Sequence, residues 1–244
     1  MRAFAFCLGF NTAEMIDGSL QNFDSTTTDK EQRFLIKTLI NPSFPGTKRE
    51  DLCDVASRWG WWGPVDIQNK GVMENWNYCI HELAHMRKGD YLICHDPDVR
   101  WQQRGWLTAA IEILESDENC VFVCAARPFY DEKWLIDSHG REVHSLPSGV
   151  RYATFKQLVA WSTGIWKGDW LAMRPRDFAA AHPLYGYVEH RDVELMNEHK
   201  KTWRSLVDFY DFHTGSDPIY CEWKTACAQF KTSEPYEVWL KRRP

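Results

Sequence analysis

Four continuous apolar runs, Ala3 to Leu8, Phe34 to Ile40, Tyr91 to His95 and Cys120 to Ala126, constrain this chain more than any other feature. A run without polar alternation is the pattern of a strand buried on both faces. Helical periodicity fills the intervals, over Thr12 to Phe23, Gly71 to Arg87 and Trp106 to Leu114. Strand and helix therefore alternate through the first half, which predicts an α/β fold built on a mostly parallel sheet with right-handed crossovers. The second half is less regular, with loops expected around Asp137 to Val150 and a helix over Asp192 to Leu206. At 244 residues, one compact domain over residues 1–244 is the expectation.

Composition narrows the partners. A net charge of -5 argues against a broad phosphate-binding face, because nucleic-acid affinity rests on clustered Lys and Arg. The apolar opening Met1 to Leu8 is too short for a signal peptide or a membrane span and reads as a first buried strand. The 8 Cys are scattered singly, and Cys7, Cys94 and Cys124 fall inside core strands. That is how reduced thiols serve as small hydrophobes, so a cytoplasmic location is expected. The 13 Trp fill a core or offer flat faces for sugars and bases, and composition does not separate the two.

Ligands of open parallel sheets bind beyond the carboxyl ends of the strands. Gly9-Phe10-Asn11 follows the first strand, and Asp96-Pro97-Asp98 follows the third. Two carboxylates at a strand exit suit Mg²⁺ or Mn²⁺, which bridge such oxygens to a substrate's phosphates; the alternative is a solvated turn, since Asp and Pro favour turns. A rival motif is His81-Glu82-Leu83-Ala84-His85, the H-E-x-x-H of zinc metallohydrolases. On a helical wheel starting at Val72, His81 and His85 fall at about 180° and 220°, opposite the face of Trp76, Cys79, Ile80 and Leu83. Both are expected to face water, and no third ligand follows before Gly89-Asp90 and a core strand.

Taken in order, Phe4 to Thr12, Asn69-Lys70-Gly71-Val72, Asn77, Gly89-Asp90-Tyr91 and Asp96-Pro97-Asp98 resemble the GT-A glycosyltransferase family, of the inverting family-2 kind, and the resemblance covers most of the chain. Trp161-Ser162-Thr163-Gly164 with Leu171 to Arg174 is similar to the family's donor-sugar and acceptor segment. Tyr185-Gly186-Tyr187 leading to Asp192-Val193-Glu194 resembles the stretch that holds its catalytic base, and Asp211 to Ser216 its C-terminal histidine segment. The resemblance implies a Rossmann-like sheet flanked by helices, with a nucleotide-binding half over 1–98 and a smaller acceptor-side half over 99–244. Gly9, Phe10, Asn11, Asn69, Gly71, Asn77 and Asp96 would shape the nucleotide end, with Trp161 and Gly164 beside the sugar. Asp96, Asp98 and His213 would hold Mn²⁺ or Mg²⁺ on the diphosphate of a nucleotide sugar, a UDP-sugar being favoured.

Asp192 matches the position of the base that takes the acceptor's proton. Arg191 stands where many members have Glu, so either Glu189 supplies the second carboxylate or the acceptor contact differs. Ile40 stands where the family usually carries an Asp that holds the nucleotide, so the resemblance assigns neither the base and ribose contacts nor the donor nucleotide. The acceptor is open among a glycan, a lipid carrier, a protein side chain and a hydroxylated nucleic-acid base. Besides the zinc metallohydrolase, the remaining alternative is a nucleotide-sugar-binding module without catalysis.

Overall fold

The computed structural model describes residues 2–68, 72–126, 142–154, 163–174, 188–213 and 241. The apolar runs form β1 (Arg2–Leu8), β2 (Leu35–Asn41), β4 (Asp90–His95) and β6 (Cys120–Ala126), and β3 (Trp62–Asp66) extends the set at one edge. Helix α1 (Ala13–Thr26) starts where the Thr12 hydroxyl accepts from the Met15 amide, and Ile16, Leu20 and Phe23 lie along its buried stripe. The short α2 (Asp29–Gln32) and α3 (Arg49–Arg58) follow, then α4 (Val72–Tyr78) and α5 (Trp106–Glu115).

Strand order is β3-β2-β1-β4-β9-β6-β10-β8-β7, where β7 is Glu142–Ser145, β8 Arg151–Thr154, β9 Thr163–Lys167 and β10 Thr202–His213. β1 runs parallel to β2 and β4, whereas β9 is antiparallel to both β4 and β6. β10 then runs parallel to β6. The carboxyl ends of β1, β2, β3, β4, β6 and β10 therefore share one rim, and the amino end of β9 joins them.

Side chains of β1 divide between two cores. Ala3, Ala5 and Cys7 meet one layer, which includes Ile16, Leu20, Leu52 and Trp106 from α1, α3 and α5. The bulkier Phe4, Phe6 and Leu8 meet the other, with Trp76, Ile80 and residues of α6 (Gly168–Met173) and α7 (Val188–Glu198). Alternation along a strand sends neighbours to opposite faces, so small residues seat one helical layer closely while large ones fill the wider gap opposite.

Three expectations need correction. The helix over Asp192 to Leu206 ends at Glu198; Lys200 takes φ 53, and β10 begins at Thr202. Trp203 to Val207 are buried because β10 lies between β6 and β8, and pairing on both sides overrides a periodicity that also fits a helix. The loop around Asp137 to Val150 contains β7, a hairpin partner of β8, and its mostly exposed residues leave no hydrophobic signature. The helical pattern from Gly71 to Arg87 is α4 followed by a π-helical turn, Cys79–Ala84, that stops at His85 with φ 45.

Candidate functional site

The rim brings Gly9, Asp96 and Gly164, expected from the sequence, into a row with Asn41 and Asp66, which were not. Gly9 donates its amide to the Ile40 carbonyl at 2.8 Å, which places it beside Asn41, and Asn41 is the register partner of Asp66. On the other side Cys7 pairs with His95, and His95 with Thr163. The row thus runs Asp66, Asn41, Gly9, the Asp96 turn and Gly164.

Asp96-Pro97-Asp98 is a turn closed by the Val99 amide on the Asp96 carbonyl at 3.1 Å. Three groups hold it. The Ser19 hydroxyl bonds His95 Nε2 at 2.8 Å and lies 3.2 Å from the Asp96 carbonyl and 3.3 Å from that of Val99. His95 is fully buried, and burial, reinforced by the charge of Arg100, pushes its imidazole down to about 3. The Arg100 guanidinium donates to the carbonyls of Pro97, Val99 and Met15 at 3.2, 2.7 and 3.1 Å, tying the turn to α1. Neither Ser19, His95 nor Arg100 stood out in the sequence; a polar residue on the buried stripe of α1 was the available signal.

Asp98 is 2% exposed, while Asp96 is half-buried. Both, with Arg100, act on the buried Cys7 thiol, so these charges gather at the end of β1. β5 (Val99–Trp101) pairs antiparallel with the end of β10, and His213 is the register partner of Val99. A histidine 114 positions from Val99 in sequence thereby has its backbone beside the residue that follows Asp98. The two carboxylates of the turn are oxygen ligands of the kind that Mn²⁺ and Mg²⁺ take. Among the described residues no group of three or more His, Cys, Asp or Glu side chains is assembled to hold a metal ion; of His213 only the backbone is described.

Among the residues expected at the nucleotide end, Asn11 is buried with its side-chain oxygen accepting from the Thr12 amide at 2.8 Å, and Thr47 donates to the Asn11 carbonyl at 3.1 Å. Phe10 packs edge-on to Phe44 at 5.0 Å. A Cβ on Gly9 would stand 3.1 Å from the Ile40 carbonyl and from Leu39, so the residue is fixed by close packing of β1 on β2. Asn77 is buried in α4. Asn69, Gly71 and Trp161 lie outside the described residues.

Gly164 has a packing requirement: a Cβ there would fall 2.0 Å from Cε2 of Phe122, whose ring stacks on Trp166 at 4.1 Å. Asp192 is wholly buried in α7 and accepts from Arg174 at 3.2 Å. Desolvation lowers the Arg174 pKa despite the Asp192 charge, the mark of a cation held where water is excluded. Arg174 was not singled out as a partner in the sequence, because only the fold brings residues 174 and 192 together. Glu189 lies in the first turns of α7, and only its backbone is described.

His81 and His85 do not share a helical face. His81 is half-buried, correcting the expectation that both face water, and His85 is exposed in a left-handed conformation past the end of the π turn. Because the segment is not α-helical, the i, i+4 stacking that a zinc pair needs is lost.

Comparison with protein-family models and with curated proteins finds no match. Solved structures do resemble the chain. A mannosyltransferase from Pyrobaculum calidifontis, PcManGT, in complex with GDP-Man and Mn²⁺ superposes with a TM-score of 0.62 at 13% identity, covering 100% of this chain and 65% of that one. GalNAc-T7 with UDP, GalNAc and Mn²⁺ gives 0.61 at 10% identity, covering 97% and 52%. The chain thus spans about two thirds of one neighbour and half of the other. At such identities the likeness establishes architecture, and that architecture is the GT-A glycosyltransferase fold.

Proposed function

We propose that this protein is a glycosyltransferase, folded as a single domain over residues 1–244, that moves a sugar from a nucleotide-sugar donor to an acceptor hydroxyl. One observation carries the reading: the Asp96-Pro97-Asp98 turn sits on the carboxyl rim of a GT-A sheet, with the backbone of His213 drawn alongside by the β5–β10 pairing. Asp98 and His213, with Asp96, would hold Mn²⁺ or Mg²⁺. Bound there, the cation would supply Lewis-acid stabilisation of the departing nucleoside diphosphate.

The chain's own residues supply positioning. Ser19 and Arg100 hold backbone carbonyls of the turn, and His95 bonds Ser19, so the backbone that carries the two carboxylates is held in place before a ligand arrives. The nucleotide lies across Gly9, Phe10 and Asn11. Asp192 is the proposed base, taking the acceptor hydroxyl's proton as oxygen attacks the anomeric carbon, with inversion there. Glu189, at the start of the same helix, is the candidate second carboxylate.

The test is a thermal-shift panel of nucleotide sugars with and without Mn²⁺, followed by turnover assays on the donor that stabilises most. Mn²⁺-dependent stabilisation and sugar transfer or hydrolysis, both abolished in Asp98→Ala, are expected. Binding without turnover on any acceptor would instead indicate a binding module, and an unchanged Asp98→Ala enzyme would end the metal assignment. Retention of the donor's anomeric configuration in the product would exclude Asp192 as the base of an inverting transfer.

A further inference from the structure

Asp66 stands at the end of β3, and its position there depends on a bulge. Between Thr38 and Ile40 of β2, β3 inserts an extra residue, so that Thr38 pairs with Trp62 but Ile40 with Val65. Gly63 makes this possible: its φ is 110, and a Cβ would lie 2.6 Å from the Leu39 carbonyl. The inserted residue shifts the register by one, which turns alternate side chains to the other face and puts Asp66 beside Asn41.

Two donors then fix the carboxylate. The Asn41 side-chain oxygen accepts from the Ser43 amide at 3.0 Å, which directs its nitrogen to Asp66 Oδ1 at 2.7 Å. Arg49 Nε donates to Oδ2 at 2.7 Å. A carboxylate offers about four lone-pair sites, so about two remain to accept from a ligand. The side chain is 51% exposed, so these sites are accessible. The hydrogen bond from Arg49, then that from Asn41, holds Asp66 below the usual carboxylate range, which keeps it an acceptor at neutral pH. Asp66 lies three strand spacings from the Asp96 turn, about 14 Å along the rim, with Phe10 between them. A nucleoside diphosphate anchored by its phosphates at that turn and laid across Phe10, as proposed above, would bring its base to this end.

We infer that Asp66, fixed by Asn41 and Arg49, is the residue that selects the donor's base, accepting the ring N–H of uracil or guanine and rejecting cytosine and adenine. Uracil N3 and guanine N1 carry a hydrogen on the edge that faces such a carboxylate. Cytosine and adenine present a lone pair at the corresponding ring position, and two acceptors repel. This selection rests on the nucleotide-sugar reading and narrows its donor class.

The experiment is calorimetric titration of the full chain in Mn²⁺ with UDP, GDP, CDP, ADP and inorganic pyrophosphate. For the native protein, UDP or GDP should bind about ten-fold or more tightly than CDP and ADP, the scale of one hydrogen bond to a charged group. Asp66→Asn should reduce that preference while leaving pyrophosphate binding unchanged. CDP or ADP binding as tightly as the oxo-bases, or a preference untouched by Asp66→Asn, overturns the inference and leaves the donor reading standing. If neither pyrophosphate nor any nucleotide binds, the donor reading itself fails and the base selection falls with it. Because the native base preference is measured without any variant, a poorly folding Asp66→Asn does not spoil the test.

Discussion

Two arginine–aspartate pairs in this molecule use the same chemistry in opposite surroundings. Arg174 and Asp192 meet at 3.2 Å with neither side chain exposed, on the face that holds Cys94, Trp170 and Met196. Arg49 and Asp66 meet at 2.7 Å on the rim with 56% and 51% exposure. In the first, water has been removed from both ions, and desolvation opposes their attraction. In the second, water still screens the pair, so it contributes little to stability but keeps oxygen lone pairs accessible to a ligand. One pair is bound into the fold, and the other is free to recognise.

The largest expected effect comes from breaking the buried pair. Arg174→Ala removes a cation from beside the buried Asp192 carboxylate and should cost about 3–5 kcal/mol in urea unfolding. Replacing both partners, Arg174→Met with Asp192→Leu, should restore most of that stability. If transfer activity stays lost in this refolded double variant, Asp192 does chemistry beyond its structural role; recovered activity removes it as the base.

A second test uses pH on the same protein. His95 is neutral in the fold and is pushed down to about 3 from 6.5, so between those values the unfolded chain binds a proton that the folded one does not. Its contribution to stability is present above about pH 6.5 and is lost as pH falls toward 3, at about 1.4 kcal/mol per unit. His95→Asn should flatten this part of a stability–pH curve, and an unchanged slope would show that other groups set it.

Gly164→Ala sharpens the contrast from the packed side. With Phe122 at 2.0 Å and the Val123 carbonyl at 3.0 Å from the added carbon, about 1–3 kcal/mol of overpacking is expected. The change should also alter the fluorescence of Trp166, which stacks on the displaced ring. The smallest effect is Arg49→Ala, which should leave the melting temperature essentially unchanged while weakening nucleotide binding. A large loss of stability there would erase the distinction between the two pairs.

Strands with a dense apolar signal were legible because burial on both faces leaves one solution: Ala3 to Leu8, Tyr91 to His95 and Cys120 to Ala126 all became strands within a residue. β3 was not, since it is short, carries Gly63-Pro64 and has Trp62 at 67% exposure. β10 was misread in its first half because Trp203, Leu206 and Val207 fit either period until two neighbouring strands claim them. The Asp96–Asp98 turn was legible as a candidate site. The groups that hold it were not, since Ser19 lies 77 residues from Asp96 and Arg100 reaches Met15 across 85.

The sequence by itself determined the α/β alternation, the sheet's parallel first half and the placing of two acids at a strand exit, because these depend on local hydrophobic pattern and turn chemistry. Tertiary structure alone decided which distant groups meet. Register set His213 against Val99, a bulge at Gly63 set Asp66 against Asn41, and helix packing enclosed Asp192 with Arg174. Each is a contact between residues far apart in the chain, and no local propensity encodes which strand will lie beside which.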